Sequence, residues 1–143
     1  MTVYLLDENV LRELRPGGNA HVLAWHAGVA TSDLRISVMT FFEKRRGWER
    51  RKRSDPELAA AKLAQLDALE AAYGSPVVPI DGPVVAEWTR LLGAKDKNVR
   101  DRALAATARV HGFVLVTRNV DDVRGCDVEV LDPFRPNPVV AKV

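Results

Sequence analysis

Apolar residues along this chain occur in two patterns, short unbroken runs and longer stretches where they recur every three or four positions. The runs predict buried strands and the recurrences predict helices with one core-facing stripe. TVYLL at 2–6 reads as a strand, and 8–15 as a short helix stopped by Pro16, Gly17 and Gly18. Asn19 can cap a helix in which Val22, Trp25, His26 and Val29 share a face. LRISV at 34–38 predicts a second strand, leading into a basic helix that begins near Thr40. The stretch SDPELAAAKLAQLDALEAAYG predicts a helix capped by Ser54 or Asp55, with Pro56 in its first turn and Gly74 as its stop. Leu66, Leu69 and Tyr73 form one stripe on that helix, suited either to the core or to a second copy of the chain.

Pro76 to Ile80 predict a third strand, and Asp81 caps a helix closed by Gly93. A helix from about Val99 to His111 ends at Gly112, and FVLVT at 113–117 follows as a strand. VEVL at 128–131 is the final predicted strand, and the prolines of DPFRPNP predict an irregular tail over 133–143. Strands alternating with helices predict an α/β domain with a mostly parallel sheet and right-handed crossovers.

A length of 143 residues suits one domain spanning 1–143. With 47% hydrophobic and 28% charged residues, the composition excludes a disordered or fibrous chain. No apolar run is long enough to cross a membrane, and Asp7 arrives before a signal-peptide core could form, so a cytoplasmic location is expected. Cys126 is the sole cysteine, which rules out an internal disulfide framework and a zinc site of the usual spacing. The net charge of +2 hides one local excess, since KRRGWERRKR at 44–53 holds seven basic residues and one acid. Such a run is either a solvated helix face or a patch for phosphate.

In open parallel sheets, ligands sit beyond the carboxyl ends of the strands. Asp7 directly follows the first strand, Glu43 lies early in the helix after the second, Asp101 early in the helix before FVLVT, and Asp122 five residues beyond it. Singly, Asp7 can be an N-cap, Glu43 and Asp101 can complement helix dipoles, and Asp122 can be a turn residue. Together, four carboxylates from distant parts of the chain can face one crevice. Each ionised pair about 5 Å apart would repel by about 3 kcal/mol at an effective dielectric near 20, so such a cluster needs a cation or extra protons. Oxygen-only ligation favours Mg²⁺ or Mn²⁺ over Zn²⁺. Such an ion can polarise a phosphoryl oxygen and acidify a water, which points to phosphodiester hydrolysis beside the basic helix.

These residues resemble the PIN-domain ribonucleases, and among them the VapC-like toxins of bacterial toxin–antitoxin pairs. The resemblance covers nearly the whole chain and rests on LLDENVL, on ISVMTFFEKRRG with its E-x-x-x-G from Glu43 to Gly47, on DRALAATARVHGFVLVTRN, and on NVDDV. It implies a three-layer α/β/α fold and an Mg²⁺- or Mn²⁺-dependent endoribonuclease. It also implies that Asp7, Glu43, Asp101 and Asp122 are the catalytic, metal-binding acids, with Asn9, Thr117 and Asn119 in support. RNA would lie along Lys44, Arg45, Arg46, Arg50, Arg51 and Arg118. The implied partners are an RNA substrate, a small DNA-binding antitoxin and a second copy of the chain. Glu8 stands where the family usually has a small hydroxyl residue, and Asp121 leaves open which of two adjacent acids faces the metal. The competing reading is a catalytically silent PIN-like module that binds RNA or a partner.

Overall fold

The structure, a computed structural model, describes residues 1–143. The chain runs through β1 (Tyr4–Leu6), α1 (Glu8–Leu11), α2 (Ala20–Ala27), β2 (Leu34–Ser37), α3 (Val38–Arg51), α4 (Pro56–Tyr73) and β3 (Val77–Val78). It continues through α5 (Gly82–Leu92), α6 (Val99–His111), β4 (Val114–Val116), β5 (Glu129–Leu131) and β6 (Ala141–Lys142). One sheet in the order β3-β2-β1-β4-β5-β6 is parallel except for β6, which pairs antiparallel with β5.

The two-residue period of the strands divides the core. Leu5, Leu115 and Val130 point to one face, where they pack with Ala103, Leu104 and Ala108 of α6 and with Trp88 and Leu91 of α5. Leu6, Val116 and Leu131 point to the other and meet Val10 of α1 and Val22 of α2. Ile36 extends that face toward Phe41 of α3 and Leu66 of α4. The fold is therefore the expected three-layer α/β/α arrangement. Alanines along α6 allow close approach to the sheet, and two bonds fix where it starts. Trp88 Nε1 donates to the Val99 carbonyl at 2.8 Å, and Arg102 Nη1 donates to the Leu91 carbonyl at 2.7 Å.

Several boundaries differ from the sequence expectation for local reasons. α1 ends at Leu11 rather than at residue 15, because the chain turns back so that Glu13 accepts from the Asn19 N–H at 2.8 Å. That turn requires Gly18, since a Cβ there would collide with the Glu13 carbonyl. α3 begins at Val38, two residues early, because Ser37 Oγ accepts from the Met39 N–H. Asp55, not Ser54, caps α4, and the third strand spans only two residues. The α4 stripe divides, with Leu66 buried but Leu69 and Tyr73 exposed. The tail is not irregular to its end: Ala141–Lys142 covers the open edge of β5, and Val143 packs against the core.

Candidate functional site

The carboxyl ends of β1 and β4 meet in a web of side-chain hydrogen bonds. Asp7 leaves β1 still held to β4, its N–H donating to the Val116 carbonyl at 3.0 Å. Its Oδ1 caps α1 by accepting from the Glu8 N–H at 2.7 Å. Its Oδ2 accepts from Thr117 Oγ1 at 2.7 Å and from Asn9 Nδ2 at 3.2 Å. Thr117 in turn accepts from the Asn119 N–H at 3.0 Å, and Asn9 Oδ1 accepts from the Arg118 N–H at 3.2 Å. Asn9, Thr117 and Asn119 thus order Asp7 and its surroundings without adding charge. Asp7 is only 8% exposed. Burial pushes its carboxyl above the usual range, Thr117 and the Glu8 N–H pull it back, and the Glu8 charge adds to the rise.

Glu43 from α3 and Asp101 from α6 open onto the same cleft. Asn98 makes this possible for Asp101, adopting a left-handed φ of 54° that starts α6 at Val99 and puts the acid in its first turn. The cleft encloses about 360 Å³ and is lined by Asp7, Glu8, Asn9, Arg12, Glu43, Arg100, Asp101, Arg118 and Asn119, with no apolar side chain. Burial raises the Glu43 carboxyl, Arg100 opposes the rise, and the charges of Asp7, Asp101 and Glu8 reinforce it. Asp101 is raised by burial first and then by Asp7 and Asp122, against the Asn119 amide. None of Asp7, Glu43 and Asp101 forms an ion pair.

Asp122 sits in a 3₁₀ turn (Val120–Val123), where it acts on Asp101 through its charge but does not line the cleft. Its neighbour Asp121 is paired with Arg124 at 2.7 Å and its side chain is 88% exposed. Of the two, only Asp122 bears on the cleft. No three acidic side chains converge tightly enough to grip one ion, so the carboxylates share a cleft and a field rather than a finished coordination sphere. The donor set nevertheless fits a hard divalent cation, being all oxygen. Glu8 Oε2 strengthens the fit, because it is buried beside this cleft with no hydrogen-bond partner.

The basic run divides on folding. Lys44 pairs with Glu8 at 3.0 Å, and Arg45 bridges to Asp67 and Glu70 of α4. Arg51 lies over the Trp48 ring at 4.9 Å, with Lys62 at 5.9 Å from the same ring. Arg46, Arg50 and Arg53 are exposed and unpaired. Arg118 reaches the cleft from a stack on Phe134. Arg12 and Arg100 also line the cleft, and no motif singles them out in sequence. The one available signal for Arg100 is its place immediately before Asp101 at a helix start.

Comparison with known proteins agrees with this fold. The family model described as "PIN domain" matches residues 4–124. Toxin FitB of Neisseria gonorrhoeae is 29% identical over 136 residues, covering 91% of this chain and 97% of that protein. VapC ribonuclease Y4jK of Sinorhizobium fredii is 25% identical over 138 residues, covering 92% and 98%. Among solved structures, FitAB bound to an IR36 DNA fragment aligns with a TM-score of 0.67 at 28% identity, covering 93% of this chain and 96% of the matched one.

Proposed function

The chain belongs to the PIN-domain family and is related to VapC- and FitB-like toxins, and from that premise we propose that it is the toxin of a toxin–antitoxin pair, an endoribonuclease that hydrolyses RNA phosphodiester bonds with Mg²⁺ or Mn²⁺. One observation carries this reading: Asp7, Glu43 and Asp101, from three separate parts of the chain, share an apolar-free cleft where burial and neighbouring acidic charges raise all three and none forms an ion pair.

Asp7, Glu43 and Asp101 would hold the cation, with Asp122 acting behind Asp101. When bound, such an ion supplies Lewis acidity toward a phosphoryl oxygen and an acidified water as nucleophile. Thr117 and Asn9 keep Asp7 Oδ2 in one orientation. Arg12, Arg100 and Arg118 give the cleft a cationic rim for phosphate oxygens. Arg46, Arg50 and Arg53 carry the electrostatic footprint away from the acids along α3 and beyond it.

A cognate DNA-binding antitoxin is part of the proposal, supported by the DNA-bound FitAB assembly. A cationic side chain from that partner can occupy the carboxylates in place of the metal. The exposed Leu69 and Tyr73 on α4, with Phe42 on α3, support a homodimer, which sedimentation velocity tests. No helix is long and apolar enough to cross a membrane. The deciding experiment is cleavage of single-stranded RNA with Mg²⁺ or Mn²⁺, with and without EDTA, by the unaltered protein and by Asp7→Asn. Loss of cleavage in both treatments is the expected result, and cleavage that survives both overturns the reading.

A further inference from the structure

The family resemblance leaves Glu8 without a role, because a small hydroxyl residue is usual at its position. Its surroundings are specific. Glu8 opens α1 directly after Asp7 and lines the acidic cleft. Its Oε1 lies 3.0 Å from Lys44 Nζ of α3, while its Oε2 is buried and has no hydrogen-bond donor. A buried carboxylate oxygen left without a partner is unfavourable, because it has lost its water. One half of this side chain is thus anchored and the other half is free.

Four features limit what can complete Oε2. The cleft beside it contains no apolar side chain. The neighbouring carboxylates are Asp7 and Glu43, and the charge of Glu8 acts on both. None of the cleft arginines pairs with Glu8, whose only cationic partner is Lys44. Lys44, which also lines a different pocket with Leu11, Phe41 and Leu69, closes Oε1 and leaves Oε2 without a partner.

We propose that Glu8 is an additional ligand for the divalent cation of this cleft, offering Oε2 to the ion while the Lys44 bridge fixes the carboxylate through Oε1. The inference rests on the metal-dependent reading above. Lys44 then has two opposed effects. It orients Glu8, and its positive charge near the cleft weakens cation binding. A purely structural Glu8–Lys44 bridge between α1 and α3 would act on the metal only through the position of the helices, so losing either partner would have the same effect.

Direct titration of Mn²⁺ separates these cases, followed by calorimetry and by the loss of the free-ion electron paramagnetic resonance signal. The full-length chain is compared with Glu8→Gln, Lys44→Met and Asp7→Asn. Glu8→Gln is expected to weaken Mn²⁺ binding about tenfold or more, since losing even an outer partner of a metal ligand costs about 10–100-fold in affinity. Lys44→Met is expected to leave binding intact or tighten it. Glu8→Gln binding Mn²⁺ as tightly as the unaltered protein overturns the role of Glu8 and leaves the metal reading standing. Equal weakening by Glu8→Gln and Lys44→Met also overturns it, since that is the signature of a bridge that serves only to hold α1 to α3. Absence of Mn²⁺ binding by the unaltered protein overturns both proposals, whereas Asp7→Asn abolishing binding supports the metal site independently of Glu8. Circular dichroism without metal checks that each variant remains folded.

Discussion

The two ends of the sheet treat carboxylates in opposite ways. At the amino-terminal edge, Glu87 of α5 accepts from both Arg90 and Arg109, which hold its carboxyl down at about 2. Asp127, just before β5, is likewise held below the usual range by Lys142 and Arg109. At the carboxyl edge, Asp7, Glu43 and Asp101 sit above it, raised chiefly by burial. The chain has enough arginine for both ends, and three arginines even line the acidic cleft without pairing with its carboxylates. Acids that serve the fold are matched by cations of the chain itself, and the acids left unmatched at the ligand-binding edge are those proposed to hold an outside cation.

Breaking the unmatched end has the largest expected effect. Asp7→Asn should lower RNA cleavage at least about a hundredfold, in line with removing a ligand that others depend on. The same substitution should raise the thermal midpoint in EDTA. The sign follows from linkage: an acid whose folded pKa is raised destabilises the fold as pH climbs from 3.8 through the folded value, and an amide has no charge to bury. A scan of stability against pH for both proteins checks it, and a lower midpoint for Asp7→Asn would contradict the comparison.

Thr117→Val tests the support around Asp7. The hydroxyl lowers the Asp7 carboxyl, so its removal should raise that group further, move the acidic limb of the pH–rate profile to higher pH and reduce cleavage about tenfold. At the matched end, Glu87→Gln should cost about 1 kcal/mol in urea unfolding and leave cleavage unchanged. Because its folded pKa is depressed, that contribution is fully present above 4.5 and disappears as pH falls through about 2. The smallest effect concerns the basic run. Replacing Arg46, Arg50 and Arg53 together by alanine should reduce the slope of log affinity for single-stranded RNA against log salt by about 2, whereas Arg45→Ala should leave it unchanged.

Much of this division was legible before folding, but unevenly. The placement of Asp7 after a strand and of Asp101 at a helix start follows from local patterns, which is why both reach the cleft where expected. The helix stops at Gly74, Gly93 and Gly112 were equally plain, because ending a helix at a positive φ leaves a glycine in the sequence. The fates of the cations were not legible. Lys44 and Arg45 sit in the same basic run as Arg46, yet their partners Glu8, Asp67 and Glu70 lie 36, 22 and 25 positions away, and no local rule connects them. Arg12 reaches the cleft because α1 is only one turn long, ended by the tight turn that Gly18 permits rather than by any helix propensity. β3 was expected but at more than twice its length, and the late β6 escaped, for a related reason, since two-residue strands are made by their neighbours' open edges.

Trp48 has both the Arg51 guanidinium and the Lys62 ammonium over its ring, one from each helix of the α3–α4 pair. The other two indoles are engaged elsewhere, Trp25 edge-on against Tyr4 and Trp88 through its N–H to Val99. The emission of Trp48 should therefore respond to two charges that a polyanion can draw away. Docking of a nucleic acid strand on this helix pair would register as a colour change in unlabelled protein, even for variants too inactive to cut what they hold.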